Sequence, residues 1–248
     1  MAQKDFLTSR IQEAAEMAVA YQTTSYLDFY EPTLQMLTER EIARYPGSEC
    51  AFFGGHEYCE RKMLCIFPQS QEPTDTEFPI DCIQIKDTSG TLTHQDVLGA
   101  LMNVGIEREK TGDININNEM IQFFVSAPLG EFIEMQLNRI GRFSVAPKKA
   151  SLNEIIVFEP NFIDMDIIVP SMRADAVIHA VFRISRSEAS ALIKAEKVKV
   201  NHKAINKPAV SLKEGDVLSV RSKGRIIIDA ASGVTKKGNI KLRIKKFA

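Results

Sequence analysis

"RISRSEASALIKAEKVKVNHK", residues 183–203, decides how the last third of the chain folds. Ser185 is a helix-capping residue, and Ala189, Leu192 and Ile193 recur behind it at helical spacing. Arg186, Ser190, Lys194 and Lys197 fall at i, i+4, i+8 and i+11, a narrow polar stripe beside that apolar side. Ser185 and Ser187 make a hydroxyl-rich helix start whose free N–H groups can receive a phosphate. Past the helix, Val198 and Val200 alternate with Lys199, Asn201 and Lys203, the period of a half-buried strand. A short amphipathic helix and a strand thus share one apolar interior and turn their cations outward.

The same division continues downstream. Leu218 and Val220 oppose Ser219, Arg221 and Lys223, and Ile240, Leu242 and Ile244 oppose Lys241, Arg243 and Lys245. Residues 171–248 hold 18 Lys and Arg against 6 Asp and Glu, a balance of +12, while the preceding residues hold 13 against 26. The formal net charge of −1 therefore averages two opposite bodies, a polyanion-binding module and an acidic partner. A Lys-rich surface that binds nothing is the bland alternative, and six acids offset too little of the charge to favour it. Phe182 and Phe247 are the only aromatic residues from 171 onward, so recognition is expected to rest on backbone and shape rather than base stacking.

Upstream, "SRIQEAAEMAVAYQ" places Ile11, Ala14, Ala15 and Ala18 at helical spacing, and Pro32 opens a second helix in "PTLQMLTEREIARY". "AFFGG" and "KMLCIFP" read as strands, and residues 68–79 as a loop rich in Pro, Thr and Ser. From residue 80 the order is strand "IDCIQIKD", helix "LTHQDVLGALMNVG" capped by Thr93, strands "GDININN" and "EMIQFFVSA" broken at Asn117–Asn118, and helix "PLGEFIEMQLNRI". "GRFSVAP" and "SLNEIIVFEP" are expected to close with strands. That β-α-β-β-α-β order belongs to a split sandwich shared by RNA-recognition folds, which host unrelated functions as well. The expected architecture is α+β and multidomain: a mixed N-terminal domain over 1–75, an RRM-like domain over 76–160, and a two-helix domain with a small sheet over 171–248.

"MRADAVIHAVFRISRSEASALIKAEKVKVNHKAINKPAVSLKEGDVLSV", residues 172–220, resembles the αL RNA-binding domain named after small-subunit ribosomal protein S-four. Arg173 and Asp175 match its opening, and Ser185, Arg186, Ala189, Leu192 and Ile193 its second helix. Val198, Val200 and Asn201 match its strand, and Gly215 and Asp216 its closing turn. Glu196 departs from the pattern, standing where the domain has Gly; it must take φ > 0 and puts an acid inside the basic surface. "FFGGHEYCERKMLCIFP", "THQDVLGALMNVGIEREKTGDI" and "TKKGNIKLRIKKF" resemble the bacterial YlmH family, and that resemblance spans essentially the whole chain. It implies a middle RNA-binding domain and association with large ribosomal subunits carrying obstructed peptidyl-tRNA, in ribosome-associated quality control. It also implies a link to cell division.

The expected RNA-binding set is Arg173, Arg183, Ser185, Arg186, Ser187, Lys194, Lys197, Lys199, Asn201, Lys203, Arg221 and Lys223, with ribosomal RNA or tRNA as partner. Arg108 and Lys110 in "GIEREKTGD" offer a second RNA contact, against the reading that Gly105 and Gly112 merely stabilise a turn. The acidic N-terminal half is the candidate surface for protein partners, and a scaffold for division proteins is one alternative function. An RNA-modifying enzyme with an αL targeting domain is the other. Against it, Ser144 stands where a pseudouridine synthase would carry its acid, no Gly-rich nucleotide loop occurs, and His94 with Asp96 is better explained by capping. Neither a catalytic residue, a cofactor nor a small-molecule substrate is expected. A zinc site from Cys50, His56, Cys59 and Cys65 fits no common spacing, which leaves packed, reduced thiols. The longest apolar runs fall far short of the ~20 residues that cross a bilayer, and the first helix carries Asp and Glu unlike a signal peptide, so a cytoplasmic protein without membrane contact is expected.

Overall fold

The computed structural model describes residues 2–117, 120–157 and 159–247. Helix α1 (Ala2–Tyr21) turns Ile11, Ala14, Ala15 and Ala18 onto one buried stripe, as their spacing predicts. Those mostly small side chains let it lie against a three-stranded antiparallel sheet of β1 (Ser25–Tyr30), β2 (Ser48–Phe53) and β3 (Lys62–Pro68), with β3 in the middle. Helix α2 (Pro32–Ile42) starts on Pro32, where a missing N–H costs nothing. Strand β1 has no counterpart in the sequence reading, because buried Asp28 interrupts its apolar pattern. Arg10 pairs with that carboxylate, as does Lys110 at 2.5 Å. Burial alone would raise the Asp28 pKa; the two cations outweigh it and hold the carboxyl below its usual range.

The second sheet comprises β4 (Ile80–Lys86), β5 (Thr111–Asn117), β6 (Met120–Ser126) and a short β9 (Lys148–Lys149), ordered β5-β6-β4-β9 with antiparallel neighbours. Helices α3 (His94–Asn103) and α4 (Gly130–Gln136) cover one face, where Val97, Leu101 and Ile133 meet Ile83, Ile85, Ile121 and Phe123. This is the expected β-α-β-β-α-β sandwich, with its last element corrected. "SLNEIIVFEP" contains no strand among its described residues; Leu152–Glu154 is one 3-10 turn, and the closing strand is Lys148–Lys149. "GRFS" joins a separate hairpin of β7 (Arg139–Ile140) and β8 (Phe143–Ser144). Of the expected break at Asn117–Asn118, Asn118 lies outside the described residues.

The opposite face of this sheet is not open. Phe124 and Cys82 project from it into a cluster with Phe29, Cys59, Met63, Phe67 and Phe78, so the two sheets share a core. Gln122 donates to the Glu154 carbonyl at 2.7 Å and accepts from the Ile156 N–H at 2.8 Å, which lays the segment after β9 across the same face. Arg61 ties the sheets further, donating to the carbonyls of Thr111 and Phe29, each at 2.9 Å. The surface on which an RNA-recognition sheet would stack bases is filled by protein. The four thiols are free, and burial pushes Cys59, Cys65 and Cys82 up to about 12.

Residues 1–158 thus form one compact unit and 159–248 another. The second unit begins ahead of residue 171, with β10 (Phe162–Val169). Its sheet runs β10-β15-β14-β13-β11-β12, adding β11 (Val198–Val200), β12 (Lys203–Ala204), β13 (Val217–Val220), β14 (Gly224–Val234) and β15 (Ile240–Phe247). Helices α5 (Ala174–Phe182) and α6 (Arg186–Lys194) pack on one face, burying Val177, Ile178, Ala189 and Ile193 against Leu218, Ile226, Ile228, Leu242 and Ile244. Among the described residues, no helix is long and apolar enough to cross a membrane.

Two glycines separate packing from propensity. A Cβ on Gly55, at φ +111°, would sit 2.2 Å from the Phe124 ring, whereas one on Gly99 inside α3 would meet nothing. Gly55→Ala is therefore expected to cost about 2–4 kcal/mol in urea unfolding. Gly99→Ala should stabilise by up to about 1 kcal/mol.

Candidate nucleic-acid interface

Helices α5 and α6 meet through a tight turn in which Arg183 is left-handed at φ 52°, exposed, and followed by buried Ile184. Ser185 caps α6, its hydroxyl accepting the Glu188 N–H at 3.0 Å and lying 2.9 Å from the Ser187 hydroxyl. One of the helix's open donors is thus met by its own cap, and the rest face outward beside Ser187 and Arg186. Beneath them sits Asp175, only 4% exposed. It accepts two parallel bonds from Arg173, each 3.0 Å, and faces the Arg186 guanidinium at 3.5 Å. Burial alone would raise the Asp175 pKa, but the Arg173 bonds and the Arg186 charge hold it below the usual range. One buried carboxylate therefore fixes the direction of two exposed guanidiniums.

The other end of α6 gathers a second group. Lys194 closes the helix, Lys197 and Arg221 stand beside it, and Lys223 reaches back toward the helix start. The Arg221 N–H donates to the Lys197 carbonyl at 2.9 Å, and Lys223 pairs with Glu188 of α6 at 3.5 Å. Cations there also meet the negative end of the helix dipole. Lys199 points outward from β11 and Lys203 from β12. Among the described residues, Arg183, Lys194, Lys197, Lys199, Lys203 and Arg221 have no carboxylate partner. From Arg186 to Lys194 the helix advances about 12 Å, so the two groups lie along one edge of the unit.

Glu196 adopts φ 55°, the conformation its position demands. The Lys197 N–H reaches back to Leu192 at 3.0 Å and the Glu196 N–H to Ile193 at 2.9 Å, a Schellman closure with Glu in the glycine position. Gly105 closes α3 the same way at φ +91°, whereas Gly112 has an ordinary φ and is small because a Cβ would lie 2.8 Å from Phe29.

Several expected site residues are used by the fold instead. Asn201 donates to Asp216 and accepts from the Val217 N–H, both at 2.9 Å, so its amide holds the turn ending in Gly215 and Asp216. Arg108 donates to the carbonyls of Thr111 and Gly112 at 2.9 and 3.2 Å; burial, then neighbouring Arg61, pushes its pKa down to about 10. Lys110 is spent on Asp28. Asp96 completes the capping box of α3, accepting from the Thr93 N–H at 2.9 Å and its hydroxyl at 2.6 Å, as the capping reading holds. The basic skin is also uneven. In the sheet register Lys245 lies opposite Asp164 and Arg243 opposite Asp166, and Lys245 pairs with Asp229 at 2.8 Å. Strand β10, unread in the sequence, brings the two aspartates that offset them.

Residues 73–154 match the family model described as "Putative RNA-binding domain in YlmH", and residues 172–218 match the S4 domain. The chain is 32% identical over 212 residues to "Ribosome-associated protein quality control protein P2" of Bacillus subtilis (strain 168), covering 85% of this chain and 82% of that protein. The chain belongs to the YlmH family. A solved structure, "Cell division protein ylmH from Streptococcus pneumoniae", superposes on this YlmH-family chain with a TM-score of 0.54. It is 22% identical, covers 63% of this chain and 96% of that one, and supports the fold alone.

Two substitutions probe this edge of the YlmH S4 domain. Glu196→Gly removes left-handed strain and an acid together, and is expected to stabilise by about 1 kcal/mol in urea unfolding. Asp175 has a depressed folded pKa, so its pairs stabilise the fold above the unfolded carboxylate value of about 3.9, and that stability is lost as pH falls through the lower folded value. Asp175→Asn should lower stability at pH 7 by about 1–3 kcal/mol and flatten its decline below about pH 4. Urea midpoints across pH check both signs.

Proposed function

We propose that this YlmH-family chain is a non-catalytic RNA-binding factor that acts on the ribosome in the cytoplasm. Arg173, Arg183, Arg186, Lys194, Lys197, Lys199, Lys203, Arg221 and Lys223 hold phosphates of ribosomal RNA or tRNA. Ser185 and Ser187 present the open N–H groups of α6 to the same backbone. Asn201 serves the site indirectly, by shaping the turn beneath it. The observation that carries this reading is the run of exposed cations along α6 and β11, of which Lys194, Lys197 and Lys199 have no carboxylate partner among the described residues, anchored at one end by the Asp175 pairs. The quality-control name of the Bacillus subtilis relative supports the ribosome as the place of action. The state on which we propose this chain acts is a large subunit carrying obstructed peptidyl-tRNA.

Residues 1–75 and 76–160 serve as N-terminal and RRM-like modules, and 171–248 as the RNA-gripping module. The acid excess of the first unit suits it to protein partners.

If about five phosphates are engaged on single-stranded RNA, log affinity should fall against log salt with a slope of about −3.5. Arg186→Glu with Lys194→Glu should weaken binding at least tenfold and flatten that slope. Titration of purified ribosomal subunits and model RNAs at four salt concentrations decides the matter. A slope near zero, or unimpaired binding by the double variant, would remove the proposal.

A further inference from the structure

The outer face of the second unit's sheet carries a row that runs on from the phosphate site at Lys199 to residues that site does not use. Lys199 on β11 lies opposite Ser219 on β13, and Ser219 opposite Arg225 on β14. Ile226 pairs with Lys246, which sets Arg225 beside Phe247 of β15; its guanidinium lies 4.5 Å over the Phe247 ring. Phe247 in turn faces Phe162 of β10, with ring centroids 4.9 Å apart at 68°. Phe162 is 37% exposed and Phe247 partly so. A guanidinium over one ring, and a second ring set edge-on to the first, thus form one cluster at the surface of a basic unit.

We infer that Arg225, Phe247 and Phe162 form a stacking shelf for an unpaired nucleobase of the RNA whose phosphates lie along Lys199 and Arg221. The inference rests on the RNA-binding reading above and adds a second chemistry to it. The charges assign the occupant. At the Lys199 end, Lys199 and Arg221 have no carboxylate partner among the described residues, which suits phosphate. At the Phe247 end, Asp164 and Asp166 lie opposite Lys245 and Arg243, and this near balance of charge around the two rings offers a phosphate little attraction and leaves the rings for a base. Three strand spacings, about 14 Å, separate Lys199 from Phe247. Nucleotides that follow the gripped backbone span such a gap when they leave a helix. Aromatic rings and guanidinium planes are the groups on which splayed bases stack, and every base has a π-face to offer. In the first unit the comparable sheet face is covered, so the shelf is the place where an open sheet surface and aromatic rings coincide among the described residues.

The test uses the full chain, a 12-nucleotide single-stranded RNA of mixed sequence, and the same RNA made abasic at its central positions, each titrated at four salt concentrations. Wild type is expected to bind the abasic RNA about 10- to 100-fold more weakly with the same salt slope. Phe162→Ala with Phe247→Ala should bind both RNAs equally weakly, again with the wild-type slope. Phe247→Leu, which keeps apolar bulk, should lose the preference for bases, and Phe247→Tyr should keep it. Wild type that binds both RNAs alike with a steep slope overturns the shelf and leaves the phosphate site standing. A double variant that still prefers the RNA with bases also overturns the shelf. Absence of any salt-dependent binding by wild type overturns the RNA reading and the shelf together.

Discussion

The second unit depends on one long-range pairing. Phe162–Val169 zips antiparallel onto Ile240–Phe247 without a register break, from Phe162 opposite Phe247 to Val169 opposite Ile240. It closes the sheet beneath α5 and α6, burying Ile167 and Val169 on the inner side. On the outer side the same register decides electrostatics, because period-two geometry sets Asp164 and Asp166 opposite Lys245 and Arg243. A slip of one residue would turn the aspartates into the core and the isoleucine face to water. The pairing therefore fixes at once which cations are neutralised and which remain for a polyanion.

Those that remain are organised by α6. Its start is steered by buried Asp175, which accepts from Arg173 and faces Arg186, and its end by a Schellman closure that swings Lys197 back beside Arg221. A guanidinium held by a fixed carboxylate loses less freedom on meeting a phosphate than one that waves in solvent, so in the proposed complex Asp175 would contribute to binding without touching the ligand. Asn201 and Asp216 act in the same indirect way, tying the turn after β11 to the turn that enters β13.

Much of this was legible in the sequence because it is local. The cap at Ser185, the apolar stripe of Ala189, Leu192 and Ile193, and the alternation around Lys199 all follow from neighbours within a few residues, and the positive φ of Glu196 follows from the resemblance, which puts Gly at that position. What escaped depends on distant partners. Residues 162–169 do alternate, with Ile163, Met165, Ile167 and Val169 on one side, yet Phe162 and Ile168 blur the pattern and the partner strand lies at the far end of the chain. Counting aromatic residues from 171 hid Phe162 for the same reason. Strand β1 was masked by Asp28, which reads as a loop residue until Arg10 and Lys110 arrive to pair with it. Arg108 and Lys110 looked like loop cations because nothing nearby in sequence reveals the carbonyls and carboxylate that use them.

The covered sheet of the first unit bears on how labour is divided. An RRM-like sheet offers either an open aromatic face to bases or an apolar face to another layer, and one surface does not serve both. Here Phe124 and Cys82 are committed to Phe29, Phe67 and Phe78, and Gln122 to the backbone that crosses it. The first unit has also lost the cations that its loop seemed to offer, and its residues, 1–158, carry 13 Lys and Arg against 23 Asp and Glu. A surface of that sign repels phosphate chains approaching at random, while the second unit attracts them. On the proposed reading, the S4 domain holds phosphates while the acid excess of the first unit sets how closely further RNA approaches residues 73–154, which match the RNA-binding family model, so selectivity draws on both units.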